Sequence, residues 1–209
     1  MNILFIIIIS YLLGSFPTSI IVGRILKGID IRNYGSENAG ATNTFRVLGW
    51  KAGMLVLLVD MAKGLLAVTL ITKYFGDPKE MGRFADLSPI IAGSAVILGH
   101  IYTAFARFKG GKGVGTATGV IIGIAPLTSL VCILIWLMIV LTTRFVSVAS
   151  LAAACCFPLI TLLRKDFDLP LLIFSVLLPL VIVYTHRENI RRLFKGEENR
   201  LRKGWLSFK

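Results

Sequence analysis

Long apolar runs, set apart by short segments that carry most of the positive charge, constrain this chain more than any other feature. The first run covers residues 2–23, about the length that crosses a hydrocarbon core of ~30 Å at 1.5 Å per residue. Others follow at 52–72, 88–106, 114–125, 127–143, 145–163 and 169–184. In lipid every backbone polar group must be satisfied within the protein, so runs of this length fold as helices. The expectation is an all-α polytopic membrane protein with about seven transmembrane helices. The fourth and fifth runs are short and parted only by Ala125-Pro126; as a re-entrant hairpin they leave five full crossings, with the same sidedness.

Composition agrees. The chain of 209 residues is 56% hydrophobic and 16% charged, against roughly a quarter charged in soluble domains, which excludes a soluble globular protein, a disordered chain and a disulfide scaffold. Cys132, Cys155 and Cys156 are odd in number and all lie in apolar runs, so they read as buried thiols. The first run lacks a basic start and a small-residue cleavage site and is expected to be a retained span. One membrane domain, residues 1–209, with a short basic tail from about residue 185, is the expected organisation.

The net charge of +12 comes from 23 Lys and Arg against 11 Asp and Glu, and its placement sets the orientation, because cytoplasmic loops retain Lys and Arg. Arg24, Lys27, Arg32, Arg46 and Lys51 follow the first run, Arg107, Lys109 and Lys112 the third, Arg144 the fifth, and Arg187, Arg191, Arg192, Lys195, Arg200, Arg202, Lys203 and Lys209 the last. The opposite side holds only Lys73, Lys79, Arg83, Arg164 and Lys165. The N-terminus is therefore expected outside and the C-terminus in the cytoplasm. The tail, with Ile190, Leu193 and Phe194 at helical spacing and Trp205, Leu206 and Phe208 beyond, reads mainly as an interfacial helix on an anionic leaflet.

In a bilayer protein the informative residues are the polar ones. They form four clusters, all expected at the cytoplasmic face: the loop from Gly35 to Arg46; His100 with Phe108-Lys109-Gly110-Gly111-Lys112-Gly113; Thr143 to Ser150; and His186-Arg187-Glu188-Asn189. Glycines let main-chain N–H groups approach a ligand and the neighbouring ammonium groups supply charge, so residues 109–113 read as an anion cradle for phosphate, set against a turn that is basic only through the positive-inside bias. It is not a Walker loop, since Lys112 precedes Gly113 rather than Ser or Thr. No Gly-x-Ser-x-Gly elbow accompanies the serines, and two histidines without a spaced acid or clustered thiols offer no metal ligand set. A lone serine such as Ser147 or Ser150 in a membrane helix more often packs or bonds its own helix. Asp60 and Lys63, at i and i+3 in the second run, read as a structural pair, with proton or ion coupling as the alternative.

Taken together the clusters resemble the three signature segments of the bacterial acyl-phosphate:glycerol-3-phosphate acyltransferase family: Gly35-Ser36-x-Asn38-x-Gly40-Ala41-Thr42-Asn43-x-x-Arg46, Gly99-His100 leading to Phe108-Lys109-Gly110-Gly111-Lys112-Gly113, and His186-Arg187-Glu188-Asn189-Ile190 with Gly196-x-Glu198. Gly14-Ser15-x-Pro17, Asp60-x-x-Lys63-Gly64 and Arg144-x-x-Ser147 resemble lesser family features, in the family's order from about residue 14 to 198. The departure is Ile101-Tyr102-Thr103-Ala104, where the family commonly shows a proline and a small or branched residue.

The resemblance implies a multi-pass enzyme of the bacterial inner membrane, active at the cytoplasmic face. It would transfer a fatty acyl group from acyl phosphate to the 1-hydroxyl of sn-glycerol 3-phosphate, giving lysophosphatidate and inorganic phosphate, the first acylation of phospholipid biosynthesis. No cofactor, metal, nucleic acid or obligate protein partner is implied; the partners are the two substrates and membrane lipid. The His-x-x-x-x-Asp signature of other glycerolipid acyltransferases is absent, since Phe105 and Arg191 stand five residues after His100 and His186. On this reading Lys109, with the Gly110, Gly111 and Gly113 backbone and Lys112, takes the phosphate of glycerol 3-phosphate, and Arg46 with Ser36, Thr42 and Asn43 takes the other phosphoryl group. Asn189 donates to the oxyanion, Ser147 orients a substrate, and His186 is base or positioner, with the donor's own phosphate preferred as base. Asp60, Lys63 and Glu198 are structural. A transporter of a phosphorylated solute and a non-enzymatic binder of anionic lipid or nucleic acid are the competing readings; one-sided clusters and the absence of repeats weigh against the first, and the unexplained glycine, amide and serine clusters against the second.

Overall fold

The computed structural model describes residues 2–82, 85–164 and 167–201, and all its regular elements are helical. Arg83, Lys165, Arg202, Lys203, Lys209, Trp205, Leu206 and Phe208, all used in the sequence reading above, lie outside the described residues. The chain forms two compact units, Met1–Pro126 and Leu127–Lys209.

In the first unit the opening run is two helices, not one: α1 (Asn2–Ser15) and α2 (Thr18–Lys27). They part at Phe16-Pro17, where proline has no N–H to continue the ladder and its ring restricts the residue before it. The segment after α2, expected as loop throughout, contains α3 (Ala41–Leu48). The second run is α4 (Trp50–Phe75), interrupted by a π-helical stretch at Ala67–Ile71. A single turn at Pro78–Met81 precedes α5 (Ser88–Ile101) and α6 (Val114–Ile124).

Two helix pairs pack by close backbone approach. A Cβ on Gly14 of α1 would strike the Val96 carbonyl of α5, and one on Gly99 of α5 would strike the Tyr11 carbonyl of α1. Gly64 of α4 and Gly119 of α6 meet in the same way, against the Thr116 and Met61 carbonyls. Lipid gives apolar side chains no reason to associate with one another rather than with acyl chains, so small residues that let backbones touch supply the contact.

The second unit holds α7 (Pro126–Thr143), α8 (Val146–Leu162), α9 (Leu169–Thr185) and α10 (Arg187–Phe194), with Pro126 at the boundary. Phe157 of α8 meets Phe174 of α9 edge to face, centroids 6.2 Å apart. The chain bends by 61° between α9 and α10. Beyond α10 it returns to the start of α8, where Leu201 N–H donates to the Arg144 carbonyl at 2.9 Å.

Among the described residues four stretches are long and apolar enough to cross a membrane, Ile3–Lys27 with α1 and α2 taken together, Trp50–Phe75, Ser88–Ala106 and Pro126–Thr143, or five if α9 and α10 count as one broken span. The fourth run is only 11 residues of helix, about half the rise a hydrocarbon core requires, and α8 has 17.

Candidate active site

The residues singled out by sequence fall into two groups, one in each unit. In the first unit α3 organises the loop before it. Asn43, 1% exposed, accepts the Ser36 N–H on Oδ1 at 2.8 Å and donates from Nδ2 to the Ile31 and Tyr34 carbonyls at 3.0 and 2.9 Å. Both of its amide donors are thus spent on the loop backbone, and its side chain acts as the loop's internal clasp. Gly35 sits at φ 65° directly against this amide, a conformation and a clearance that favour glycine. Ser36, Thr42 and Arg46 are half-buried around it.

The glycine segment also differs from a simple cradle. Gly110 and Gly111 direct their N–H groups at the Ile101 and His100 carbonyls, 3.0 and 3.1 Å away, and so close the open end of α5. A Cβ on Gly110 would run into the His100 carbonyl, and one on Gly111 into the His100 ring. The glycines at these two positions therefore serve close backbone packing. Lys109 is exposed, and its ammonium meets no partner among the described residues. Lys112 is half-buried, and Gly113 is the N-cap of α6 at φ 85°. Before them Arg107 and Phe108 both take left-handed conformations, φ 58° and 57°, costing roughly 1–2 kcal/mol each.

Arg32, which sequence analysis assigned only to the charge balance, holds this bend. Its guanidinium lies against Asp30, with Nε 3.0 Å from Oδ1, and reaches the Ala106 carbonyl at 2.9 Å. The same hydrogen bonds hold the Asp30 carboxyl below its usual range and raise Arg32. The Asp-x-Arg spacing was the available signal.

Asp60 and Lys63, each 3% exposed, form the expected ion pair at 2.8 Å. The structure adds what they do at the end of α1. Lys63 donates to the Phe16 carbonyl beside the Pro17 break, and the Thr18 hydroxyl donates to Asp60 Oδ1 at 3.1 Å. His100 Nδ1 stands 3.8 Å from the same oxygen. Thr103, within the segment that departs from the family pattern, donates to the Ser15 carbonyl. Phe16, Thr18, Asp60, Lys63, His100 and Thr103 line one small cleft with Gly110 and Gly111.

The second group centres on Glu198, 8% exposed. Oε1 accepts from Ser147 at 2.8 Å and from Asn189 Nδ2 at 2.7 Å, and Oε2 accepts from Arg192 Nε at 2.9 Å. Burial pushes the carboxyl upward, and the hydrogen bonds from Asn189, Ser147 and Arg192 outweigh it, so that Glu198 sits below its usual range. His186, 3% exposed, occupies the bend between α9 and α10. Its Nδ1 lies 2.8 Å from the Ile182 carbonyl, which selects the tautomer protonated there.

A sequence model of the glycerol-3-phosphate acyltransferase family matches residues 4–196. The glycerol-3-phosphate acyltransferase of Chlorobaculum tepidum is 49% identical, over 94% of this chain and 95% of its own length. That of Chlorobium phaeobacteroides strain BS1 is 46% identical, with the same shares of 94% and 95% covered. Among solved structures, the crystal structure of PlsY (YgiH), an integral membrane glycerol 3-phosphate acyltransferase, is similar in its glycerol 3-phosphate form with a TM-score of 0.88, 38% identity and 100% of both chains covered. Its lysophosphatidic acid form gives a TM-score of 0.85 at 37% identity, again with 100% of both chains covered.

Proposed function

This chain belongs to the glycerol-3-phosphate acyltransferase family, and from that premise we propose that its acyl donor is acyl phosphate. The 1-hydroxyl of sn-glycerol 3-phosphate attacks the donor's carbonyl, the acyl–phosphate bond breaks, and 1-acylglycerol 3-phosphate and inorganic phosphate leave. The enzyme is a multi-pass membrane protein; its setting in the bacterial inner membrane, N-terminus outside and reaction at the cytoplasmic face, belongs to the proposal and is supported by the distribution of Lys and Arg. We take residues 1–209 as one functional domain that needs no cofactor and no obligate protein partner.

The resemblance of the three signature segments to the acyl-phosphate-dependent family supports the donor assignment, and direct transfer without an acyl-enzyme is supported by the bonding of Ser147. Its one proton goes to Glu198 at 2.8 Å, a carboxylate held below its usual range and so a poor base for making serine a nucleophile. A mixed anhydride such as acyl phosphate is already activated. It asks only that hydroxyl and carbonyl be held together and that developing charge be neutralised.

Within that scheme Lys109 and Lys112, with Gly113, supply the charge for the phosphate of glycerol 3-phosphate. Gly110 and Gly111 shape the segment that presents them, because their N–H groups are occupied. Arg46, Ser36 and Thr42 serve the other phosphoryl group, on the loop that Asn43 clasps. Asn189 donates to the developing oxyanion and Ser147 orients a substrate, with Glu198 fixing both. The Nδ1 of His186 faces a main-chain carbonyl where a catalytic base would have an acid, which supports positioning by His186 and proton uptake by the departing phosphate.

The test is release of inorganic phosphate by purified protein in detergent, given palmitoyl phosphate and glycerol 3-phosphate, with palmitoyl-CoA in parallel. Phosphate and lysophosphatidate forming together, and only from palmitoyl phosphate, is the expected result. Lysophosphatidate formed from palmitoyl-CoA without phosphate release overturns the donor assignment.

A further inference from the structure

We propose that Asp60, Lys63 and His100 are positioning residues that tie the glycine segment to the broken end of α1, and through it set the affinity for the phosphate of glycerol 3-phosphate. This rests on the reading that residues 109–113 take that phosphate.

The contacts run from the broken end of α1 to the glycine segment, by hydrogen bonds except for the 3.8 Å step from Asp60 to His100. At one end Lys63 Nζ donates to the Phe16 carbonyl at the Pro17 break between α1 and α2, a carbonyl that also accepts the Thr18 N–H at 3.0 Å. Asp60 Oδ1 then gathers Lys63 at 2.8 Å and Thr18 at 3.1 Å, so one ion pair spans both sides of the break. Ser15, the last residue of α1, adds a second grip: its hydroxyl donates to the Gly99 carbonyl and accepts the Ala104 N–H, each at 3.3 Å. His100 lies between these grips, its Nδ1 3.8 Å from Asp60 Oδ1. At the other end its carbonyl accepts the Gly111 N–H at 3.1 Å, and its ring fills the space that a Gly111 side chain would take.

Simple adhesion between helices does not explain the choice of residues. Burying an ion pair in a low-dielectric interior gains little over apolar side chains of similar volume, and the same unit joins α1 to α5 and α4 to α6 through glycine contacts without charge. What the charged pair adds is direction: a cation aimed at the Phe16 carbonyl and an anion that orders Thr18 and faces His100. The loop carrying Lys109 and Lys112 is anchored on the His100 and Ile101 carbonyls themselves.

The test uses the full-length protein in detergent, with initial rates at varied glycerol 3-phosphate and saturating palmitoyl phosphate. For His100→Ala we expect KM for glycerol 3-phosphate to rise about tenfold with kcat within about threefold and the unfolding temperature close to that of the parent. His100→Asn, which restores a nitrogen near the place of Nδ1, should recover most of the KM. Gly111→Ala should raise KM in the parent and raise it less in the His100→Ala background, where the ring it strikes is gone; the Ala39 carbonyl, 2.9 Å from the added methyl, keeps that relief partial. An unchanged KM in His100→Ala and His100→Asn, with or without a lower unfolding temperature, overturns the proposal and leaves the acyltransfer reading intact. Equal effects of Gly111→Ala in both backgrounds also overturn it, and that cycle is decisive if His100→Ala alone is poorly folded. A parent protein that moves no acyl group from palmitoyl phosphate refutes the donor assignment before any variant is made.

Discussion

Each unit of the molecule is organised around a buried carboxylate, and the two are satisfied by different means. Asp60 sits within a membrane-length helix and gathers its partners on one oxygen, from its own helix and from the break in α1. Glu198 sits on an irregular segment and uses both oxygens, for a serine, an amide and a guanidinium. Asp60 is neutralised mainly by one opposite charge in contact; Glu198 spreads its charge over donors that are themselves residues expected to meet substrate. A carboxylate of the first kind is sensitive to the loss of its partner, and one of the second kind passes any disturbance to the groups it holds.

The largest expected effect follows from breaking the first arrangement. Asp60→Leu leaves Lys63 buried without a counter-charge, and removal of one partner of such a pair costs about 3–5 kcal/mol, enough to deplete folded protein in detergent. Asp60→Leu with Lys63→Met should regain most of the thermal stability, measured by unfolding temperature. A double variant as unstable as the single one would show that the pair is not balanced in the way the contacts indicate.

Breaking the second arrangement should harm catalysis more than folding. Glu198→Gln keeps the shape but removes the charge, and a drop of about 10- to 100-fold in kcat is expected, with a stability loss near 1–3 kcal/mol. The sign of the pH dependence follows from the lowered carboxyl. Stability contributed by Glu198 is fully present above its unfolded pKa and is lost as pH falls through the lower folded value. Acid titration of the unfolding temperature should therefore be steeper for the parent than for Glu198→Gln.

Two smaller effects sharpen the contrast. His186→Gln should cost less than the ~10² to 10⁴-fold of a lost general base, because Nδ1 faces the Ile182 carbonyl; a larger loss in folded protein assigns the proton to His186. Lys109→Ala should leave the unfolding temperature unchanged, since its ammonium is exposed, and raise KM for glycerol 3-phosphate several-fold. An unchanged KM removes Lys109 from that phosphate.

Apolar length made the helical class legible, and the polar clusters named the candidate residues. Their local physics was legible where partners are near in sequence, as for Asp60 and Lys63 at i and i+3. It was hidden where partners are distant. Nothing in residues 110–111 shows that their N–H groups close α5, because that depends on the chain doubling back past left-handed Arg107 and Phe108. Asn43 reads as a site amide until Ile31, Tyr34 and Ser36 are seen around it. The break in α1 did have a signal, Pro17, which a hydrophobicity average over residues 2–23 smooths away. Helix α3 was masked by glycine and amide residues that also suit loops.

The return of the chain to α8 also has a consequence for biogenesis. The carboxylate that accepts from Ser147 comes 51 residues later in the chain. At 5–20 residues per second, synthesis needs roughly 3 to 10 s to cover that stretch. Throughout that interval Ser147 lacks its acceptor, and Asn189, nine residues before Glu198, is made only near its end. On the proposed roles, competence arrives late, when residues 187–201 dock, and a ribosome stalled before Glu198 is expected to leave an inactive protein.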